Sequence, residues 1–393
     1  PQRWSIAHFY QALLNEEGHL GDLAFFTTLA GYVHWRLTGQ KVLGVGDASG
    51  MFPIDSVTGG YDAEMLKTCS RLIAGHGFGR ELAGLLPAVL PAGADAGALT
   101  AEGARLLDPT GTLQPGVPFC PPEGDAGTGM VATNSVAPRT GNVSAGTSIF
   151  AMVVLEKPLS RVYPEIDMVT TPSGEAVAMV HCNNCTSDLN AWVSLLAESA
   201  ALCGVEVDKG TLFTKLFNAS LRGAPDCGGV TPVNYFSGES VTHFDAGLPL
   251  LLRRPDADFT LANFMRANIY SAFATLAMGL EILRNEDVAV DTLLGHGGLF
   301  KTPGVAQRYL AAAAGAPVTC METAGEGGPY GMALLAAYRL HRAEGETLAD
   351  YLKTRVFAGA RSTTLTPDAA DAAGFASFLR EYERALKAER AVV

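Results

Sequence analysis

The chain has 393 residues, of which 48% are hydrophobic and 17% charged, and it carries a net charge of -12. This composition is typical of a soluble globular protein long enough for two domains. The acidic balance excludes binding to a nucleic-acid backbone, which requires clustered Lys and Arg. It does not exclude the binding of free nucleotides, because backbone N–H groups and a metal ion can bind their phosphates. No apolar run reaches the roughly 18 residues of a membrane span, so no membrane association is predicted.

The cysteines indicate a reducing environment. Their number, seven, is odd and their spacing is irregular, which does not suit a disulfide framework. We therefore predict free thiols and a cytoplasmic location. The segment HCNNC at 181–185 is an incomplete zinc set, because no second Cys-x-x-Cys follows it. We predict a strand end and a turn there, with no metal site.

The first third of the chain predicts mainly helices. Apolar residues recur at three- and four-residue intervals, and the periodic segments end near glycine. The elements predicted in chain order are helices over 6–15, 22–39 and 61–75, strands and turns over 41–55, an exposed strand and loop over 85–97, and a buried strand, a turn and a small-residue helix over 117–136. The turn APRTG follows, and we place a domain boundary there, near residue 138.

After residue 138, short apolar runs alternate with long helices. The elements predicted are a β-hairpin over 141–156, a buried strand over 176–182, helices over 188–204 and 260–285, and strand–turn–helix units over 290–315 and 317–345. This alternation predicts an α/β domain over 139–345, followed by a helical tail over 346–393.

Asp125 is the first candidate for chemistry. It lies in a run of small residues with almost no other charge, directly before a segment predicted to be a helix. A carboxylate at this position has two explanations. It can cap the free N–H groups of the helix, or it can serve as a general base beside a substrate hydroxyl. Position alone favours the cap.

Two glycine-rich turns are candidates for nucleotide binding. In NVSAGTS, Gly146 lets the backbone approach a phosphate, and Thr147 and Ser148 offer hydroxyl and N–H donors. In GHGGLFKTP, residues 295–303, a strand that ends in Gly-Gly before a helix suits a flat ligand such as adenine. The alternatives are an ordinary hairpin turn and tight packing of a strand against a helix. The spacing is not the dinucleotide fingerprint G-x-G-x-x-G, so an oxidoreductase is not predicted.

Two cations and three methionines have simpler explanations. Lys301 and Arg266 are predicted to be surface or helix-packing charges rather than catalytic groups. The methionines at 265, 278 and 332 occur at helical spacing and predict core packing.

In their order along the chain, these motifs resemble the FGGY family of carbohydrate kinases. LTGQKVLGVGDASGMFPID is similar to the family's segment after an LTG helix, and GDAG, with Asp125, resembles its catalytic aspartate turn. NVSAGTS resembles its second phosphate loop and GHGGLFKTP its adenosine loop. ETAGEGGPYGMALLAAY is similar to its closing strand and helix. The resemblance covers most of residues 5–340 in the family's order.

The resemblance implies an α/β, two-domain, actin-like ATPase fold of the ribonuclease-H-like type, with ATP and substrate between the domains. Asp125 would deprotonate a hydroxyl of a sugar, ketose or polyol, which then attacks the γ-phosphate. The cofactors implied are ATP and Mg²⁺. The residues expected at the cofactor are Gly146, Thr147, Ser148, Gly297, Gly298 and Thr302.

One departure from the family concerns the start of the chain. Family members open with a D-x-G-T phosphate loop on an N-terminal hairpin, and no such segment precedes NVSAGTS here. The resemblance implies an incomplete first domain, 1–138, and a complete second domain, 139–345. As written, such a chain would be a weak or inactive kinase. Arg3, Trp4 and His8 are the candidates for sugar contacts, with helix packing as the alternative for Trp4 and His8.

Three functions stay open at this stage. The first is a kinase of a sugar, ketose or polyol. The second is a relative that binds nucleotide or sugar without transferring phosphate, and the third is another ATPase of the same fold. The expected partner is a small-molecule sugar or polyol, with no nucleic acid and no membrane, and a homodimer is compatible with this interpretation.

Overall fold

The first part of the structure consists of helices around a small parallel sheet. The computed structural model describes residues 3–322 and 327–393. Its first elements are α1 (Ser5–Leu14), α2 (Leu29–Thr38), β1 (Val42–Gly44), α3 (Val45–Ser49), α4 (Ala63–Gly75), β2 (Ala88–Leu90), α5 (Ala101–Leu107) and α6 (Asp125–Ala132). Strands β1 and β2 pair in parallel, with Val42 opposite Ala88. Apolar residues of α1 and α4, among them Phe9 and Ile73, form the core of this part.

Two predictions for this part are wrong. Residues 45–49 form the short helix α3 instead of strand or turn, because backbone N–H groups at its start find side-chain acceptors elsewhere in the fold. The buried strand predicted from residue 117 is reduced to an isolated bridge between Ala98 and Pro118. Prolines there lack the N–H that a central strand must donate.

The second part is built on a mixed sheet. Its elements are β3 (Thr140–Ala145), β4 (Ile149–Val154), β5 (Asp167–Thr170), β6 (Ala176–Cys182), α7 (Ser187–Leu202), α8 (Lys209–Ser220), β7 (Val230–Val233), β8 (Leu250–Arg253), α9 (Leu261–Asn285), β9 (Thr292–His296), α10 (Val305–Ala314), β10 (Val318–Met321), α11 (Gly327–His341), α12 (Leu348–Tyr351), β11 (Ser362–Leu365) and α13 (Ala369–Arg390). Within the described residues the sheet has seven strands, in the order β11-β10-β9-β3-β4-β6-β5. The pairs β3–β9 and β9–β10 are parallel and the others antiparallel.

Most elements of the second part match their predictions. The hairpin β3–β4, the strands β6, β9 and β10 and the helices α7, α9, α10 and α11 all form where the sequence pattern indicates. The turn predicted after β10 falls partly on residues 323–326, which lie outside the described residues. The tail is not purely helical, because β11 pairs antiparallel with β10 and forms the edge of the sheet.

Helices cover both faces of this sheet. Along β4 the side chains alternate: Ala151 and Val153 face the core that contains α9 and α10, while Met152 and Val154 face the core that contains α6 and α11. The 25-residue helix α9 is buried over most of its length. In the described part of the chain, no helix combines the length and the apolar character that a membrane crossing needs.

A buried ion pair anchors α13. Asp371 in the first turn of α13 accepts hydrogen bonds from Arg266 of α9 and from Arg308 of α10. The Arg266 and Asp371 side chains are only 2% and 1% exposed. Arg266 also donates to the carbonyl oxygen of Gly223 at 3.1 Å. Arg266 is thus a helix-packing charge, as its sequence context predicts.

We predict that Asp371→Ala lowers the free energy of unfolding by about 3–5 kcal/mol, because it leaves a buried guanidinium without its carboxylate. Urea unfolding measures this change. Glu381→Ala is the matched control, since Glu381 lies on the same helix in an exposed pair with Arg384 and such pairs contribute about 0–1 kcal/mol. Equal losses in both variants would contradict the anchoring role of Asp371.

Candidate active site

The two glycine-rich turns lie side by side. Strands β3 and β9 pair in parallel, and Ser144 is opposite His296 at the ends of the pairing. Both strands therefore end at the same edge, where the 146–148 turn follows one and Gly297 the other. Gly297 has φ +100°, and a Cβ at this position would lie 2.5 Å from the carbonyl oxygen of Ala145. A side chain there would separate the two turns, so the contact depends on glycine.

The 146–148 turn is a tight connection between β3 and β4. The Gly146 N–H donates to the carbonyl oxygen of Ser148 at 2.9 Å, and the carbonyl oxygen of Thr147 accepts from the Cys185 N–H at 3.0 Å. These bonds hold the backbone of the turn and leave the Thr147 side chain exposed. The turn is thus fixed on its inner side and available to a ligand on its outer side.

A cavity of about 330 Å³ opens beside the turns. Of the predicted cofactor residues, Gly298 and Thr302 line it, together with Lys301. Thr186 connects the cavity to the first turn, since it lines the wall and its hydroxyl donates to the carbonyl oxygen of Gly146 at 2.8 Å. No atom lies within 4 Å of a Cβ built on Gly298, so this residue faces open space.

The opposite wall of the cavity could not be inferred from motifs. It comes from α7 and α8 through Thr186, Leu189, Asn190, Gly210, Phe213, Thr214 and Phe217. These residues occur in ordinary helical patterns, and only tertiary packing brings them to the turns. Lys301 was expected to be a plain surface or packing charge. It is exposed, as a surface charge should be, and it also borders the cavity.

Asp125 is the first residue of α6, not its cap. The N-cap is Gly124, and no side chain caps the helix. Among residues 3–322 and 327–393, none donates a hydrogen bond to the Asp125 carboxylate, which is exposed. Helix α6 packs against β3 and α11. The capping explanation is therefore wrong, and the carboxylate is open to a ligand.

Two further carboxyl groups lie near Asp125, and the sequence motifs did not reveal them. Glu123 is 8% exposed, and its two carboxyl oxygens accept hydrogen bonds from the N–H groups of Gly46 at 3.1 Å and Asp47 at 2.7 Å. Asp47 accepts a bond from the Thr28 hydroxyl at 2.7 Å. Burial, and then repulsion from Asp47, raises the pKa of Glu123 to about 8. Burial also raises the pKa of Asp47, and the charge of Asp125 contributes.

The residues proposed for sugar contacts lie at the N-terminus. Trp4 precedes α1 and lines an apolar groove with Phe52 and Met65, while His8 is exposed on α1. Arg3 contacts Asp167 of β5 at 2.6 Å and His181 of β6 at 2.7 Å. The structure does not bring Trp4 or His8 to the two turns, and their part in sugar binding stays a prediction.

The segment HCNNC ends β6 and forms a turn, as predicted. Cys182 and Cys185 are buried free thiols. The Asn184 side chain accepts bonds from the N–H groups of Phe236 and Ser237 and donates to Glu239. In the described part of the chain, no group of three or more His, Cys, Asp or Glu side chains could hold a metal ion.

The fold is that of solved carbohydrate kinases. Xylulose kinase of Rhodospirillum rubrum superposes with a TM-score of 0.76 and 19% identity, over 100% of this chain and 73% of that one. A ligand-bound xylulose kinase of Lactobacillus acidophilus superposes with a TM-score of 0.74 and 16% identity, over 98% of this chain and 72% of that one. Glycerol kinase of Plasmodium falciparum with ADP superposes with a TM-score of 0.71 and 13% identity, over 99% of this chain and 74% of that one. The predicted α/β, actin-like ATPase fold is confirmed.

Comparison of sequences narrows the fold to one protein family. Residues 141–340 match the profile described as the C-terminal domain of the FGGY family of carbohydrate kinases. The chain therefore belongs to the FGGY family. Xylulose kinase of Haemophilus influenzae is 24% identical over 268 residues, which are 68% of this chain and 49% of that protein. The chain thus spans about half the length of this curated relative.

The raised pKa of Glu123 predicts a pH dependence of stability. Between about pH 4.5 and pH 8, the folded protein keeps a proton on Glu123 that the unfolded chain has lost. The free energy of unfolding should therefore fall as pH rises through this window. Urea unfolding at several pH values measures the slope, and Glu123→Gln, which cannot titrate, should flatten it. An unchanged slope in the variant would show that another group binds the proton.

Proposed function

We propose that this protein phosphorylates a hydroxyl of a sugar, ketose or polyol with ATP, and that Asp125 is the general base. The observation that carries the proposal is the meeting of the 146–148 turn with Gly297, next to Gly298 and Thr302, which line one cavity. The Asp125 carboxylate, which is exposed and does not cap the helix, supports the proposal. Membership of the FGGY family supports a substrate of the carbohydrate class.

The cavity suits the adenosine part of a nucleotide. Leu189, Phe213 and Phe217 provide apolar surface for a flat base, and Thr302 offers a hydroxyl. Gly298 leaves its side of the cavity open. The phosphates would then extend towards the 146–148 turn, since Thr186 both lines the cavity and bonds to Gly146.

Mg²⁺ fits this arrangement without a protein cage. Mg²⁺ usually keeps several water ligands and binds through substrate phosphates. Such an ion would arrive with the nucleotide, beside the phosphates that the 146–148 turn would bind. We propose ATP and Mg²⁺ as cofactors on this basis.

The chemistry requires few side chains. ATP, when bound in the cavity, would supply the γ-phosphoryl group, and ADP would leave as the bond from the γ-phosphorus to the β–γ bridging oxygen breaks. Asp125 accepts the proton of the substrate hydroxyl as that oxygen attacks phosphorus. The Thr147 hydroxyl would donate to the phosphate oxygens, on which negative charge must be stabilised during transfer.

Further assignments follow from the same proposal. We propose a division into residues 1–138, 139–345 and 346–393, with the cavity in the middle segment and Asp125 in the first. The seven free cysteines support a cytoplasmic location. A homodimer remains compatible with these assignments.

A substrate screen tests the proposed function. The protein, at the full length that its gene encodes, is incubated with ATP, Mg²⁺ and a panel of pentuloses, hexuloses and polyols. We expect release of ADP and a phosphorylated product with at least one compound. Nucleotide binding without transfer would instead indicate a non-catalytic relative, and ATP hydrolysis without a sugar product would indicate another ATPase of this fold.

We predict that Asp125→Asn lowers the rate of phosphoryl transfer about 10²- to 10⁴-fold, because the amide cannot accept the proton. Nucleotide affinity, measured by calorimetry, should not change. Asp62→Asn is the matched control, since Asp62 caps α4 and Asn caps a helix about as well as Asp. Full turnover by the Asp125 variant, with deamidation excluded by mass spectrometry, would contradict its role as base.

We predict that Thr147→Val and Gly298→Leu weaken ATP binding more than sugar binding. Loss of a bond from Thr147 to a charged phosphate should cost about 1.5–3 kcal/mol, or roughly 10- to 100-fold in affinity. Leucine at 298 would occupy part of the cavity. Gly75→Leu is a control, because Gly75 ends α4 and a Cβ there also meets no atom. A selective loss of sugar affinity in both variants would refute this placement of the nucleotide.

A further inference from the structure

The turn that carries Asp125 is attached to β1 and α3 by three hydrogen bonds. The Gly44 N–H donates to the carbonyl oxygen of Pro122 at 2.8 Å. The next two bonds come from Gly46 and Asp47 to the two carboxyl oxygens of Glu123. The start of α3 and the start of α6 are therefore held together by one buried side chain.

The local sequence leaves space for this side chain. A Cβ at Gly44 or at Gly46 would overlap the Glu123 carboxyl group. Glycine at both positions lets the backbone of α3 approach the carboxyl closely enough for two N–H donors to reach it. The three residues thus form one tightly fitted contact, which a longer side chain at either glycine would break.

The contact also determines where Asp47 lies. Its Oδ2 accepts the bond from the Thr28 hydroxyl, while its backbone N–H is held by Glu123. Its Oδ1 would lie 3.1 Å from a Cβ on Gly124, the residue directly before Asp125. The Asp47 carboxylate is therefore held from two sides, next to the turn of the proposed base.

We propose that Glu123 is a positioning residue of the candidate active site, which acts through Asp47 and the turn of Asp125. This inference rests on the proposed function. Two carboxylates held close together can accept hydrogen bonds from two hydroxyl groups of a polyhydroxy substrate, so Asp47 would orient the molecule from which Asp125 removes a proton. Glu123 does not touch the substrate in this arrangement.

The protonation of Glu123 agrees with this role. With its pKa raised to about 8 by burial and by Asp47, Glu123 is mostly neutral at pH 7. The proton avoids a third negative charge beside Asp47, while the two backbone N–H bonds act in the opposite direction and lower the pKa of Glu123.

The test compares Glu123→Gln and Glu123→Asp with Glu389→Gln in the full-length protein. Glutamine offers one acceptor for two N–H donors, and aspartate is one methylene too short to reach both. Glu389 of α13 is also a buried carboxyl, and it accepts a hydrogen bond from the Leu248 N–H at 3.0 Å, so it reports what a purely structural loss does. The measurements are kcat and KM for the sugar identified in the screen, ATP affinity by calorimetry, and the folded fraction.

We expect both Glu123 variants to lose about 10- to 100-fold in kcat/KM for the sugar, because small misplacements of reacting groups have effects of this size. ATP affinity should not change. Glu389→Gln should lower stability but leave the kinetics of the folded protein as in the wild type. Hydrogen exchange should show faster exchange of the Gly46 and Asp47 amides only in the Glu123 variants.

Asp47→Asn provides a second route if the Glu123 variants fold poorly. It is isosteric, and it removes the charge that Glu123 positions, so it should produce the same selective loss for the sugar. Wild-type kcat/KM in Asp47→Asn, or in folded Glu123 variants, would overturn the inference and leave the proposed function intact. Absence of phosphoryl transfer by the wild-type protein would instead contradict the proposed function itself.

Discussion

The parallel pairing of β3 with β9 is the interaction on which the candidate site depends. It makes two strands that are about 150 residues apart in sequence end at the same edge of the sheet, from Thr140 opposite Thr292 to Ser144 opposite His296. Each strand is followed by a glycine-rich turn, so the pairing places the two turns next to each other. The contact of Gly297 with Ala145 is possible because no Cβ intervenes. A one-residue shift in register would separate the turns and reverse the faces of β9.

Asp125 is positioned by a different set of contacts, those of helix α6. Helix α6 lies between the sheet and α11, and its buried residues Met130 and Val131 join the core that contains Met152 and Val154. The helix is thus oriented by apolar packing, while its first residue stays exposed. Glu123 attaches the preceding turn to α3. Apolar burial fixes the direction of the helix, and hydrogen bonds to one buried carboxyl group define the position of its start.

Several features were accessible from local patterns because they depend on residues close in sequence. The hairpin 141–156 was predictable from alternating apolar residues around a Gly-Thr-Ser turn, and α9 from a long periodic segment. Asp125, Gly298 and Thr302 became candidates because motifs of the FGGY type have a fixed order along the chain. Helix α3 was missed, since its N-terminal N–H groups are satisfied by Glu123, 76 residues away from Asp47. The strand expected from residue 117 failed because its prolines cannot donate to a ladder.

By itself, the sequence determined the α/β class, the main helices and strands, and the short motifs that indicate an FGGY carbohydrate kinase. These follow from periodicity and from turn residues, which act within a few positions of one another. Only the tertiary structure decided that Asp125 is not a cap, that Lys301, Phe213 and Phe217 border the cavity, and that Glu123 and Asp47 lie beside the proposed base. The reason is physical: hydrogen bonds and burial between distant segments depend on how helices and strands pack, and no local pattern encodes which side chains such packing brings together.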